Sequence, residues 1–435
     1  MGFRSTLLFL FLLLNAFVYL ALWRAVAYWA SPESRRRVLL GVSLVFLLLN
    51  LPLAAFFIRP LDLTLLQLPT WVLKTVFYPS TAWLATIIAF VLIAAPLLLV
   101  SGLASAVWRW FAARKPAPQA TERVPGAPMV SRRDFVAGSA GLLIPAIYGV
   151  AAYGTYGTLD DLDVSAEQSI PMPHLPPSFD GMTIVQLTDL HVGPYIREKE
   201  LRHLVSVVNS LRPDLVVVTG DIVDRHLSSL PEAVRGLAGI ESPLGVYAVL
   251  GNHDIYADQY SFTRHHRGGV EIARGLETIG IRTLRNEVVH LEEGGDRLAL
   301  LGLDWLSPNP RSPNFYQYKQ KETFQELHQM SAQVDPETPT VLLAHHPDTF
   351  KDAQPFRIGL TLAGHTHGGG QVILGNVGGM PIGIGMMRFQ YLSGLYRENG
   401  YSLYVNRGIG YLGIPIRINC PPEISRFRLT RIAAS

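Results

Sequence analysis

Apolar residues follow two unlike rhythms along this chain. In the first third they form continuous runs, at residues 6–22, 38–58 and 83–107. Each is close to or above the roughly 18–20 residues that cross a bilayer as a helix. A fourth run, 135–153, is rich in glycine and alanine and follows a polar, proline-containing stretch at 114–130. Asp62, Gln67, Pro69 and Lys74 interrupt residues 61–78, which read as an interfacial or re-entrant piece rather than a span. Residues 159–180, with their prolines and acids, read as a linker. Beyond residue 182 the rhythm shortens to β-rich runs at 183–187, 215–219, 246–250, 298–303, 340–344 and 360–362. Amphipathic stretches such as 198–211 and 322–332 lie between them. Strands alternating with helical patterns predict a layered α/β body.

Composition sharpens this division. Of 435 residues, 49% are hydrophobic and 16% charged, against about a quarter charged in soluble domains. Such a chain can bury a large core, which excludes disorder. A single cysteine, Cys420, excludes a disulfide scaffold and a cysteine metal site. The net charge of +3 hints at an anionic partner until it is divided by position. Residues 1–158 hold 13 Lys and Arg against 4 Asp and Glu, and residues 159–435 hold 24 against 30. The body is acidic, and no nucleic acid is expected as a partner.

Ten of the 13 basic residues sit in two loops. Arg24, Arg35, Arg36 and Arg37 lie in 24–37; Arg109, Arg114, Lys115, Arg123, Arg132 and Arg133 lie in 109–133. Lys and Arg concentrate in cytoplasmic loops. Both loops are inside only if the N-terminus is outside and 61–78 does not cross. The fourth span then delivers the body to the outer side. Ser131-Arg132-Arg133-Asp134-Phe135 before an apolar Gly/Ala-rich run resembles a twin-arginine export signal. Two positive-inside arginines ahead of an ordinary anchor read the same way, and both readings stay open. No small-x-small cleavage site follows, so an uncut anchor is expected. The resulting organisation is a helical transmembrane region (1–108), a basic cytoplasmic loop (109–134), an anchor (135–158), a linker (159–180) and a globular domain (181–432).

Five polar clusters begin where β runs end, the edge at which open α/β sheets place their sites. They are Asp189-Leu190-His191, Gly220-Asp221-Ile222-Val223-Asp224, Gly251-Asn252-His253-Asp254, His345-His346-Pro347-Asp348 and Gly364-His365-Thr366-His367-Gly368. Residues i and i+2 of an extended chain project to one side, so Asp189 with His191, and His365 with His367, can converge on one ion. Mixed Asp, His and Asn donors without thiolate suit Mn, Fe or Zn, and two carboxylates with several histidines are enough for a bridged pair of divalent metal ions. Each cluster alone reads as readily as a turn or a surface pair. Five at successive strand ends do not.

The series resembles the signature of the calcineurin-like metallophosphoesterase superfamily over roughly residues 180–430. The form Gly-His-Thr-His-Gly-Gly, the stretch Tyr404-Val405-Asn406-Arg407-Gly408-Ile409-Gly410 and Pro421-Pro422-Glu423-Ile424 are similar to its membrane-anchored bacterial branch. That branch includes UDP-2,3-diacylglucosamine diphosphatase-like enzymes and twin-arginine-exported phosphodiesterases. A third glycine, Gly370, before Gln371 departs from its pattern without touching the ligands. The resemblance implies a four-layer α/β/β/α sandwich. It also implies one metal held by Asp189, His191 and His367, another by Asn252, His345 and His365, and Asp221 bridging them. His345 rather than His346 matches the family spacing. His253 would stabilise the phosphoryl oxygens or protonate the leaving group, oriented by Asp224. Arg225 is either a phosphate contact or a surface residue.

The expected protein is therefore a multi-pass inner (plasma) membrane hydrolase with its catalytic domain on the periplasmic or extracellular side. Its expected partners are the lipid bilayer and a phosphorylated lipid or nucleotide-linked lipid substrate; oligomeric state stays open. The Met-rich stretch 380–392 reads either as an acyl-chain surface or as packing. Arg264, His265, His266 and Arg267 read as a headgroup contact or a solvated loop. The rival readings are a cytoplasm-facing UDP-2,3-diacylglucosamine diphosphatase and a non-catalytic metal-binding envelope protein.

Overall fold

In the computed structural model the described residues are 3–58, 68–112, 132–157, 162–258, 267–305, 315–377 and 380–432. Most of the basic loop, Ser131 of the twin-arginine motif, and Arg264, His265 and His266 lie outside them. The chain divides into two units, Met1–Gly157 and Thr158–Ser435.

The first unit is helical: Phe3–Trp29, Pro32–Ile58, Tyr78–Ala112 and Arg132–Tyr156. Three stretches, Leu8–Trp29, Pro32–Ala54 and Thr70–Leu97, are long and apolar enough to cross a membrane. One expectation changes here in part. Of the expected interfacial piece 61–78, residues 61–67 lie outside the described residues, and residues 70–78 are no separate piece, because Thr70–Val72 and a π-helical turn, Leu73–Phe77, lead directly into Tyr78–Ala112. Pro69 stands just before the first turn, where its missing N–H costs nothing. Lys74 is exposed while Leu73 and Phe77 are buried, so one polar residue on one face leaves the helix intact. Val18, Leu53, Trp83, Ile87, Phe90 and Ile144 pack the four helices together.

The second unit is built from two sheets. The strands of the first are β1 (Asp163–Val164), β2 (Gln168–Met172), β3 (Thr183–Leu187), β4 (Leu215–Thr219), β5 (Val246–Val249) and β6 (Ile281–Thr283). The second contains β7 (Glu287–Glu293), β8 (Asp296–Leu303), β9 (Thr340–Ala344) and β10 (Leu360–Ala363). A hairpin of β11 (Gly375–Val377) and β12 (Met380–Ile382) precedes β13 (Gly394–Glu398), β14 (Tyr401–Val405) and β15 (Glu423–Arg431). The orders are β1-β15-β3-β4-β5-β6, with β2 also on β15, and β13-β14-β10-β9-β8-β7. Strands β3 to β6 are parallel, as are β8, β9, β10 and β14.

Side chains alternate across a strand, and here the alternation builds three cores. Leu215 and Val217 of β4 face a core shared with Leu298, Leu300, Val341 and Leu343 of the second sheet. Val216 and Val218 face the helices Glu198–Ser210, Leu230–Leu237 and Arg267–Glu277. Ala299, Leu301, Leu342 and Ala344 face Leu327 and Met330 of the helix Phe315–Ser331. Glu198–Ser210 buries Leu201, Leu204, Val205 and Val208, one face at helical spacing. Its first turn is closed by Glu200, which accepts the Arg197 N–H at 3.1 Å. The arrangement is a mixed α/β sandwich of helices, sheet, sheet and helices.

The supposed linker 159–180 is a second correction. It supplies β1 and β2, both parallel to β15, and buries Ile170 and Met172 completely between the sheets. Their partner lies more than 250 residues away in sequence, so no local signal reveals the pairing.

Candidate metal centre

Every polar cluster of the sequence emerges from the C-terminal end of a parallel strand. Asp189 and His191 follow β3, Asp221 and Asp224 follow β4, Asn252 and His253 follow β5, His345 follows β9, and His365 and His367 follow β10. The two sheets carry these ends to one place. Three groups of potential ligand atoms lie within 4.8 Å of one another: Asp189, His191 and His367; His191, Asp221 and His253; and Asp221, His345 and His365.

The backbone here is unusual. Asp189, His191, Asp221, His365 and His367 all have positive φ, between 44° and 70°. Non-glycine residues there cost about 1–3 kcal/mol each and persist where the surroundings impose them. Glycine makes the close approaches possible. A Cβ on Gly251 would stand 2.1 Å from Asp221 Oδ1 and 2.6 Å from its backbone nitrogen. One on Gly364 would stand 2.3 Å from Asp189 Oδ2.

Both carboxylates are divided in their use. Asp189 Oδ2 accepts the Thr188 hydroxyl at 2.8 Å and the His365 N–H at 2.9 Å, while Oδ1 has no hydrogen-bond partner and lies 3.3 Å from His367 Nε2. Asp221 Oδ1 accepts the His253 N–H at 2.8 Å, leaving Oδ2 between His345 Nε2 at 3.1 Å and His191 Nε2 at 3.6 Å. His191 Nε2 and His367 Nε2 face each other at 3.0 Å. His345 donates its Nδ1–H to the Thr219 carbonyl at 2.7 Å, which aims Nε2 inward and fixes the tautomer in the manner of a metal ligand.

Buried polar atoms are ordinarily paired. Asp189 Oδ1, Asn252 Oδ1 and His345 Nε2 are buried without hydrogen-bond partners among the described residues. The donor set therefore fits divalent cations. Asp189, His191 and His367 can hold one and Asn252, His345 and His365 a second, with Asp221 placed between the two sets. Such ions supply Lewis acidity toward a phosphoryl oxygen and activation of water.

The charge states agree with this use. Burial alone would raise the Asp189 and Asp221 carboxyls, but neighbouring imidazoles, His367 and His345 at Asp189 and His345 and His253 at Asp221, hold both well below the usual carboxylate range. Burial keeps His367 down at about 4 despite Asp189, and with His345 nearby keeps His365 well below its ordinary value. His345 differs: burial opposes its charge, yet Asp221 and Asp189 raise it to about 9.

His253 is likewise raised to about 9, against its burial, by Asp221 and Asp224. It is a cation at neutral pH, able to donate to a phosphoryl or leaving-group oxygen. Its Nδ1 is held by the Asp224 backbone carbonyl, with the Asp224 carboxylate 3.4 Å away. The expected orientation by Asp224 thus runs largely through main chain. Arg225 is exposed, 3.9 Å from Asp224. Arg267 is exposed too, 3.8 Å from Glu271. His346 packs against the rings of Trp305, His365 and Phe389 rather than joining the ligand groups. In the Met-rich stretch Tyr391 and Leu392 are buried, whereas Met386 and Met387 are exposed.

Three supports were not anticipated. Asp254 accepts the N–H groups of Ile222, Val223 and Gly251, tying the β4 and β5 turns together. Arg417, fully buried, donates to the carbonyls of Arg407, Gly408, Gly410 and Cys420. The loop it pins braces the first ligand turn, since Gly410 N–H donates to Asp189 O at 2.7 Å. Trp305 lies 5.2 Å from His365, ring to ring. Asp254 stands in the third polar cluster of the sequence, but its bracing role does not show there; an isolated Arg or Trp carries no spacing signal, so Arg417 and Trp305 were not detectable before folding.

The model of the family described as calcineurin-like phosphoesterase matches residues 182–369. An uncharacterised metallophosphoesterase of Bacillus subtilis, YkuE, is 30% identical over 312 residues, covering 69% of this chain and 98% of that protein. The chain belongs to the calcineurin-like metallophosphoesterases. Another metallophosphoesterase relative, from Danio rerio and named a transmembrane protein with metallophosphoesterase domain, is 34% identical over 296 residues. That match covers 66% of this chain and 61% of the relative, so the chain spans about three-fifths of that protein's length. Among solved structures, a dimetal phosphatase from Danio rerio is similar at 14% identity and a TM-score of 0.34, over 53% of this chain and 88% of that one. Family and donor set both direct this domain to metal-dependent hydrolysis of phosphoesters.

Proposed function

We propose that this chain is a membrane-anchored dinuclear-metal phosphoesterase that hydrolyses a phosphoester or pyrophosphate bond of an envelope lipid or nucleotide-linked lipid. The observation that carries the reading is Asp221 Oδ2, set between two imidazole Nε2 atoms while Asp189 Oδ1 and Asn252 Oδ1 stand unpartnered around it. In this mechanism two ions supply Lewis acidity and water activation. The chain's own residues position them, and protonated His253 neutralises charge on the phosphoryl or leaving oxygen. That donor, held by Asp224, has no purpose in a protein that only stores metal. Three membrane-length helices support the anchor. The lipid substrate and the likeness to UDP-2,3-diacylglucosamine diphosphatase-like enzymes rest on the sequence resemblance.

Purified protein loaded with Mn²⁺ is expected to hydrolyse bis(p-nitrophenyl) phosphate. Asp221→Asn is expected to lower kcat by about 100-fold or more, the scale of losing one preorganised electrostatic group. Failure of the wild type to turn over, or full activity in Asp221→Asn, ends the enzyme reading.

A further inference from the structure

One wall of the centre carries side chains that the donor set does not use, among them Trp305, which also packs against the core beneath the first sheet. Trp305, two residues after β8, lies 5.2 Å from His365 and 5.7 Å from His345 between ring centroids. Lys319, from the helix Phe315–Ser331, places Nζ 3.9 Å from the centre of the Trp305 ring. Lys319 is half-buried, and no carboxylate among the described residues forms an ion pair with it. Burial lowers its pKa to about 8, although Asp348 pulls the other way. Phe389 closes the same wall, 5.4 Å from His365 and 6.0 Å from His346. Arg388, exposed, lies 5.3 Å from the Phe389 ring.

Asp348 and Asp352 attract Lys319 from a distance, but a cation withdrawn from water without a carboxylate in direct contact is costly. Stacking on the Trp305 face recovers only part of that cost. Lys319 and Arg388 stand beside a donor set suited to cations, with Asp348 and Asp352 offsetting only part of their charge, so what completes the wall is an anion. The ions and His253 account for one phosphoryl group, and nothing in that arrangement employs Lys319 or Arg388.

We propose that Lys319, seated on Trp305, together with Arg388 binds a second phosphoryl group of the substrate, next to the one that meets Asp221 and His253. The inference rests on the phosphoesterase reading above and narrows its substrate to a diphosphate. Hydrolysis adds the oxygen of one water to one phosphorus, breaks that phosphorus's bond to the bridging oxygen, and leaves two monophosphates that share the released proton with solvent. The second phosphoryl can belong to a lipid diphosphate or to a nucleotide diphosphate; the chemistry of the wall is the same for both.

The test uses full-length, Mn²⁺-loaded protein in detergent with three substrates: bis(p-nitrophenyl) phosphate, which has one phosphorus, farnesyl diphosphate and UDP-N-acetylglucosamine. The wild type is expected to cleave at least one of the diphosphates. Lys319→Ala and Lys319→Met are expected to lower the ratio of kcat/KM on that diphosphate to kcat/KM on bis(p-nitrophenyl) phosphate at least tenfold, mainly through KM. Lys319→Arg should restore most of the ratio. Arg388→Ala, at an exposed position, should move it in the same direction. Any general loss of folded protein cancels in the ratio, and Lys319→Met retains most of the stem over Trp305. Cleavage of farnesyl diphosphate places the second phosphoryl on a lipid, and cleavage of UDP-N-acetylglucosamine places it on a nucleotide. Turnover of bis(p-nitrophenyl) phosphate with neither diphosphate cleaved, or a ratio within twofold of wild type in Lys319→Ala, overturns the subsite and leaves the phosphoesterase reading intact. A wild type inactive on all three overturns both.

Discussion

Asp189 shows how a residue is prepared before any ion arrives: one oxygen is saturated by Thr188 and the His365 N–H, and the other, without a hydrogen bond among the described residues, faces the Nε2 atoms of His367, His191 and His345. His345 is prepared with a proton still to lose. Its pKa, raised to about 9 by Asp221 and Asp189 against its burial, makes it a cation at neutral pH, and a ligand must be deprotonated. Ion binding below pH 9 therefore expels that proton, and the apparent affinity gains a factor of about ten per pH unit from this one group until pH 9. In the ion-free protein the sign is opposite. Stability from the raised pKa is fully present below the ordinary histidine range, about 6.5, and is lost as pH rises through 9. Calorimetric titration of Mn²⁺ at pH 7.5 in two buffers of different ionisation enthalpy should report proton release of one or more. Release near zero would mean that His345 is not a ligand. The motifs named His345, His253 and Asp224 as site residues, but their proton inventory depends on neighbours from other strands. So does the finding that His253 is held by a main-chain carbonyl.

The strand-and-turn element explains why these residues could be singled out from sequence. The β runs expected at 183–187, 215–219 and 340–344 appear as β3, β4 and β9 with those bounds. Each has a parallel neighbour in a mixed sheet and is buried on both faces, where apolar runs are continuous and easily seen. Edge strands give no such run: β2 and β13 went unread, as did β14, an inner strand of the second sheet. Turns are constrained by contacts between elements. Gly251 follows β5 and touches Asp221, which follows β4. Because the clash includes a backbone nitrogen, a methyl group there must separate the two turns. Gly251→Ala is expected to reduce Mn²⁺-dependent turnover of bis(p-nitrophenyl) phosphate by about 100-fold, the scale of a 1 Å misplacement. Activity within threefold of wild type would show that the turns yield. Trp305 and Lys319 mark the limit of reading by element. One lies two residues past a strand and the other in the second turn of a helix, and only the packing of that helix on the second sheet brings them together.

For the molecule as a whole, the basic residues of the first third favour export of the body. Residues 70–78 belong to the helix that continues to Ala112. The expected topology, with loops 24–37 and 109–133 on one side of a membrane and the body on the other, is a proposal with its own test. A phosphatase reporter fused after Ser435 is expected to be active in the periplasm or outside the cell. A reporter active only in the cytoplasm would reverse the orientation and favour the cytoplasm-facing reading. Sequence alone determined what depends on neighbours along the chain: the apolar runs, the buried parallel strands, and the ligand types at each strand end. Tertiary structure decided what depends on residues far apart. It paired β2 with β15, set Asp221 between histidines from both sheets, and placed Lys319 over Trp305 beside the candidate metal centre. Chain order carries local periodicity, whereas burial, charge state and convergence arise only when the two sheets pack.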